Sequence, residues 1–131
     1  MIGALLLLLA QAARLDEPAQ HPALRQYYFC AAGNADLLAE PAGDDEARSA
    51  RQIAEQSLRE CSQLRAAAMA VAVPAVMTGP GVQEYLRSRN LTGEQAAALA
   101  EHEFDRAIRR QLMINVAQMR GEEFREQDVG E

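Results

Sequence analysis

Apolar residues recur along this chain at spacings of three and four, and the pattern predicts helices. A first helix is expected from about Pro22 to Ala39, with Leu24, Tyr27, Tyr28, Ala31 and Leu38 repeating at helical intervals. Cys30 falls beside Tyr27 and Ala31 on that surface, and Gly33-Asn34 is a weak point within it. Pro41-Ala42-Gly43-Asp44 reads as a turn, with Asp44 or Asp45 placed to cap the next helix. That second helix is expected from about Asp45 to Val71. Its stripe is Ala47, Ala50, Ala54, Leu58, Cys61, Leu64 and Ala68, with Ile53 at the edge. Arg51, Glu55 and Arg59 stand four apart on the opposite, solvated side.

Residues 66–77 carry no charge. Such a stretch is either a buried helical end or an exposed apolar surface for a partner, in which case Met69, Val73, Val76 and Met77 supply it. Pro74 is expected to kink or end the helix, because its ring removes one backbone donor and crowds the preceding turn. Thr78-Gly79-Pro80-Gly81 is a firm break, with a short third helix after it from Val82 to Arg89. Thr92 and Gln95 have capping-box spacing at the head of a fourth helix, Gly93–Arg120. Its inward positions are Ala97, Ala100, Phe104, Ala107, Ile108, Leu112, Val116 and Met119, and Gly121 is placed to stop it. The segment 122–131 is polar and acidic, and is expected to be loose.

The fold class these elements imply is all-α: a small antiparallel helical bundle of three or four helices. Alanine, the best helix former, dominates the composition, and β-branched residues are few. Residues 13–131 make one helical domain, with 13–21 as a polar lead-in.

The first twelve residues read as an address. Ile2–Ala10 is apolar and uncharged, and Ala10-Gln11-Ala12 offers the small residues of a signal-peptide cleavage site before Ala13. No basic residue precedes the apolar run. The run is too short to span a bilayer, which takes about 20 apolar residues, so no stable membrane span is expected once the leader is removed. The alternatives are an uncleaved anchor and a buried apolar N-terminal helix of a cytosolic protein.

Export changes the meaning of the two cysteines, Cys30 and Cys61. In an oxidising compartment two thiols on the apolar faces of neighbouring antiparallel helices are expected to pair. Closing a loop of 31 residues stabilises a fold by roughly 3–4 kcal/mol on the chain-entropy account. The alternative is two inert buried thiols. There is no Cys-x-x-Cys pair to make either one catalytic.

The net charge is −6, and all 13 basic residues are arginines. A chain that tracks phosphates needs an excess or a segregated face of cations, so no nucleic-acid partner is expected. One basic cluster remains. Arg106, Arg109 and Arg110 share a helix face at i, i+3 and i+4, a fork suited to a phosphate or carboxylate. The plainer alternative is a solvated face, with Glu103 reaching Arg106 and Asp105 reaching Arg109. His102, among Glu101, Glu103 and Asp105, lacks the Glu-x-x-His spacing of a bundle metal site, so no metal and no cofactor are expected. Met69, Met77, Met113 and Met119 read as core filler before copper ligands. Tyr27-Tyr28-Phe29 puts three rings in different directions, so at least one is exposed or covered by another element. No Ser/His/Asp set, phosphate-cradling glycine loop or zinc signature is present.

Tyr27-Tyr28-Phe29-Cys30-Ala31, Arg51-Gln52-Ile53-Ala54-Glu55 and Glu60-Cys61 together resemble small Ala-rich exported bacterial proteins of unknown function, over about a third of the chain. In these a Cys early in one helix precedes a Cys late in the next. The resemblance implies export and a disulfide hairpin, and supplies no activity and no functional residues. The function expected is that of a periplasmic or secreted interaction or structural module without catalysis, its partner a protein or envelope component. The alternative is a periplasmic binding protein for a small anionic ligand at the arginine face.

Overall fold

A computed structural model of the chain describes residues 21–39 and 48–130. The leader 1–12, most of the lead-in 13–21 and the turn at 41–44 lie outside the described residues. Those described are all-α, with no strand. Five α-helices, α1 (Pro22–Ala39), α2 (Ala50–Glu60), α3 (Ser62–Met77), α4 (Val82–Ser88) and α5 (Gly93–Arg120), precede one 3-10 turn, Glu126–Asp128.

The expected second helix is therefore two. It starts at Ala50, five residues later than the turn chemistry suggests, because Ser49 rather than an aspartate caps it. The Ser49 hydroxyl accepts from the Gln52 amide at 3.1 Å, and the Gln52 side chain accepts from the Ser49 amide at 2.8 Å. That reciprocal box satisfies two amides that the first turn would otherwise leave bare. The break falls at Cys61. Its amide bonds Leu58 O, three residues back, and the Leu64 amide bonds Cys61 O, so the turn tightens on both sides of the cysteine. Beyond it α3 continues through Pro74 to Met77, so the proline does not end the helix at its own position. The Pro74 carbonyl accepts from both the amide and the hydroxyl of Thr78. At α5 the capping box forms as expected between Thr92 and Gln95, at 3.0 and 3.1 Å.

The chain divides into two compact units. Of the described residues, the first holds 21–25 and Ala66–Asp105. In it Val76 and Ala100 are buried together beside Val73, Tyr85 and Leu99. Val82, Leu86 and Ala96 form a second cluster with Met77, Tyr85 and Leu91. Asn90 takes the left-handed conformation, φ 58°, and closes α4: its own amide bonds Arg87 O and the next amide, of Leu91, bonds Leu86 O.

The second unit holds Gln26–Arg65 and the chain from Arg106 onward. Tyr27, Ile53, Leu112, Met113 and Val116 are its largest fully buried apolar side chains apart from Val129. Ala31, Ala35, Ala39 and Ala54 are buried as well. Buried Ser57 returns its hydroxyl to Ile53 O at 2.7 Å, so it leaves no polar atom unpaired. Asn115 donates to the Tyr28 hydroxyl at 2.9 Å. The Arg120 guanidinium donates to the last carbonyl of α1, Ala39 O, at 3.4 Å and to Arg48 O at 2.6 Å. It joins the end of α1 to the approach of α2.

The inward face of α5 differs from the expected one. Ala107 and Met119 turn outward, while Ala96, Glu103, Met113 and Ala117 turn inward. Of the three adjacent rings in α1, Tyr27 is buried and Phe29 is 60% exposed, as their directions on a helix require.

Candidate functional site

Cys30 and Cys61 are joined, with an S–S distance of 2.04 Å and Cα atoms 6.0 Å apart. α1 supplies one sulfur from its first half. The junction between α2 and α3 supplies the other. Cys61 is fully buried, and the Asn34 side chain, one turn beyond Cys30, donates to its sulfur at 3.2 Å. The pairing expected from the sequence is thus present, and the inert-thiol alternative is excluded.

The three arginines stand together on α5, partly exposed, and a later segment of the chain lies against them. Gly121 adopts φ +66°, and a two-bond cap (Gly121 N to Gln118 O, Glu122 N to Ala117 O) ends the helix and turns the chain back along it. The returning segment lies on the arginine face. Arg110 Nε donates to Glu126 Oε1 at 2.7 Å, its Nη2 contacts the same oxygen, and its guanidinium carbon lies 5.4 Å from the Phe124 ring centroid. Arg109 Nε donates to Val129 O at 2.9 Å, and Arg106 Nε to Gly130 O at 3.0 Å. Val129 is fully buried. The segment expected to be loose is therefore docked, because one aliphatic side chain is removed from water and three guanidinium groups hold the backbone and carboxylate on either side of it.

Electrostatics at this face follow from the contacts. The Arg110 hydrogen bond holds the Glu126 carboxyl below its ordinary value; partial burial opposes this, and the charges of Arg110 and Arg106 add to it. The same bond holds Arg110 above its ordinary value. A fourth arginine closes the site. Arg51, paired with Glu55 at 2.9 Å, approaches Gly130 so closely that a β-carbon there would sit 2.6 Å from its Nη1. Gly130 has φ +72°. The conformation therefore calls for glycine, whereas the flexible, partly exposed end of Arg51 can move aside.

Nothing in the sequence separates Val129 from an ordinary polar tail. Its signal is a single aliphatic residue before a glycine, which periodicity does not register.

The surface expected at Met69, Val73, Val76 and Met77 is turned inward. Met69 and Val76 are buried, and Val73 and Met77 pack against the clusters of the first unit. Burying these side chains is worth more than presenting them, so what the uncharged stretch 66–77 exposes is Ala66, Ala67, Ala70 and Pro74.

Glu103 also departs from expectation. Read as a solvated partner of Arg106, it is 3% exposed, and its Oε2 has no hydrogen-bond partner among the described residues. Arg106 turns instead to Gly130. His102 is exposed. Among the described residues, no three His, Cys, Asp or Glu side chains gather as a metal site. No described helix alone is long and apolar enough to cross a membrane. The chain matches no family model, no curated protein and no solved structure.

Proposed function

We propose that this chain is a small exported helical protein, an interaction or structural module of the cell envelope without catalysis, working in the periplasm or after secretion. The observation that carries the reading is the Cys30–Cys61 bond. Cytosolic thiol pools keep such pairs reduced, whereas exported proteins keep them joined. The apolar run Ile2–Ala10 and the Ala10-Gln11-Ala12 site agree with that route. Within the second unit, α2 runs back against α1 as a short antiparallel bundle. The disulfide ties the first half of α1 to the far end of α2, and Arg120 ties the end of α1 to the start of α2. The partner is a protein or envelope component. The test is the intact mass of chain recovered from the envelope or medium, with and without reductant. Expected is a chain beginning at Ala13 or Arg14 that gains two hydrogens on reduction. A chain retaining its leader, found in the cytosol with two free thiols, overturns the reading.

A second reading is favoured by the arginine geometry: a periplasmic binding protein for a small anionic ligand. Arg106, Arg109 and Arg110 already direct Nε–H groups at oxygen atoms within about 3 Å. Inorganic phosphate should then raise the melting temperature, and replacing all three with Ala should abolish the rise. No shift with phosphate or with simple carboxylates counts against it.

A further inference from the structure

We propose that the arginine face of α5 is a peptide-recognition cradle. Its occupant in an isolated chain is the chain's own segment Glu122–Gly130, and in association it is the same segment of a second copy. The inference deepens the interaction-module reading, but its test does not depend on export.

The contacts are those of a receptor and a short ligand. One aliphatic side chain, Val129, is fully buried, while Glu122, Glu123, Arg125, Gln127 and Asp128 remain exposed. The hydrogen bonds go to the ligand's backbone, at Val129 O and Gly130 O, and to one carboxylate, Glu126. A single anchor, main-chain hydrogen bonds and one charge pair are how grooves select short acidic peptides, here one folded into a 3-10 turn at Glu126–Asp128. Selectivity is built in at two positions. The anchor position takes Val129, and the left-handed conformation of the next residue favours glycine. The motif read is Glu-x-x-Val-Gly, residues 126–130.

Exchange is favoured because few apolar atoms hold the segment, and because Gly121 supplies a hinge where the chain leaves α5. A segment tethered in this way meets its site at an effective concentration in the millimolar range. The same segment supplied by another molecule competes at comparable concentration. The second copy is the natural donor, since it carries the one sequence already seen to fit the cradle, and swapping an identical element between protomers needs no new contact.

The full-length chain carrying V129D, which expels the segment, is titrated with a fluorescent peptide of residues 121–131. Expected is saturable binding, at least tenfold weaker for the unmodified chain. Binding should be lost when the peptide itself carries V129D, or when R106A and R109A are added to the chain. A V129D chain that keeps its helical spectrum and cooperative melt yet does not bind overturns the proposal. If that variant does not fold, the unmodified chain is titrated with the same peptide and amide exchange is read. Accelerated exchange confined to residues 122–130 supports displacement. Unchanged exchange at several millimolar peptide overturns it.

Discussion

The side-chain amide of Asn34 donates to the sulfur of Cys61, its partner across two helices, at 3.2 Å, while Cys30 Sγ lies 3.8 Å from the same nitrogen. Asn34 thus follows the bonded pair and fills the space beside it with a polar group that has somewhere to donate. Because sulfur is a weak acceptor, the contact is orientation more than energy.

The covalent link carries the stability. Replacing Cys30 and Cys61 with Ala should lower unfolding free energy by roughly 3–4 kcal/mol, the loop-closure value for the 31-residue separation. Asn34→Ala should cost under about 1 kcal/mol. Urea unfolding of the two variants beside the parent chain checks both. Equal costs for the two variants would remove the link from its place as the main staple.

Glu103 should be a stability defect. A buried carboxylate oxygen with no donor among the described residues forfeits its hydration and receives nothing from them in return. Glu103→Met keeps most of the volume and removes the charge, and should raise the urea midpoint by the equivalent of about 1–3 kcal/mol. A lowered midpoint would mean that the carboxylate is paired in solution.

The docked segment should loosen in acid. Glu126 has its pKa held below the ordinary 4.5 by the Arg110 hydrogen bond. Its contribution is therefore complete above that value and is lost as pH falls through the lower, folded value. The pair is largely exposed, so the amount is a few tenths of a kcal/mol at most. The measurement is the Val129 methyl resonance followed between pH 7 and 2. Glu126→Gln should erase the acidic step.

Two glycines should separate strain from crowding. Gly121→Ala meets no atom within 4 Å, so it should cost only the left-handed conformation, about 1–2 kcal/mol. Gly130→Ala carries the same conformational cost within the docked segment and also displaces the flexible end of Arg51. It should detach residues 122–130 at little cost to the helices. Amide exchange along the segment distinguishes the two.

Much of the framework is legible in the residues. The helices at 22–39 and 93–120 have the expected bounds, and the cysteine pairing and the Thr92–Gln95 box agree with their spacing. Other features elude periodicity for physical reasons. Nothing local, neither Gly nor Pro, marks the break at Cys61. Ser49-x-x-Gln52 has the spacing of a capping box, but the aspartates at 44 and 45 compete for the same role and the sequence does not rank them. Glu103 stands at the i+7 position from Ala96, on the buried stripe, and only its charge argues for solvent. Val129 is decided by tertiary contact: a lone aliphatic side chain has no period, and its burial depends on α5 offering guanidinium groups at the right height. The arginine cluster is recognisable as an anion fork, while the oxygens it holds belong to the chain itself.

The bond between residues 30 and 61 also turns the intervening stretch into a closed ring. A protease that severs the backbone once anywhere inside that ring releases nothing, since both pieces remain one molecule until the sulfurs are reduced. The same single cut outside it separates two fragments at once. Electrophoresis of nicked protein with and without dithiothreitol therefore maps which part of the chain is guarded against loss after damage.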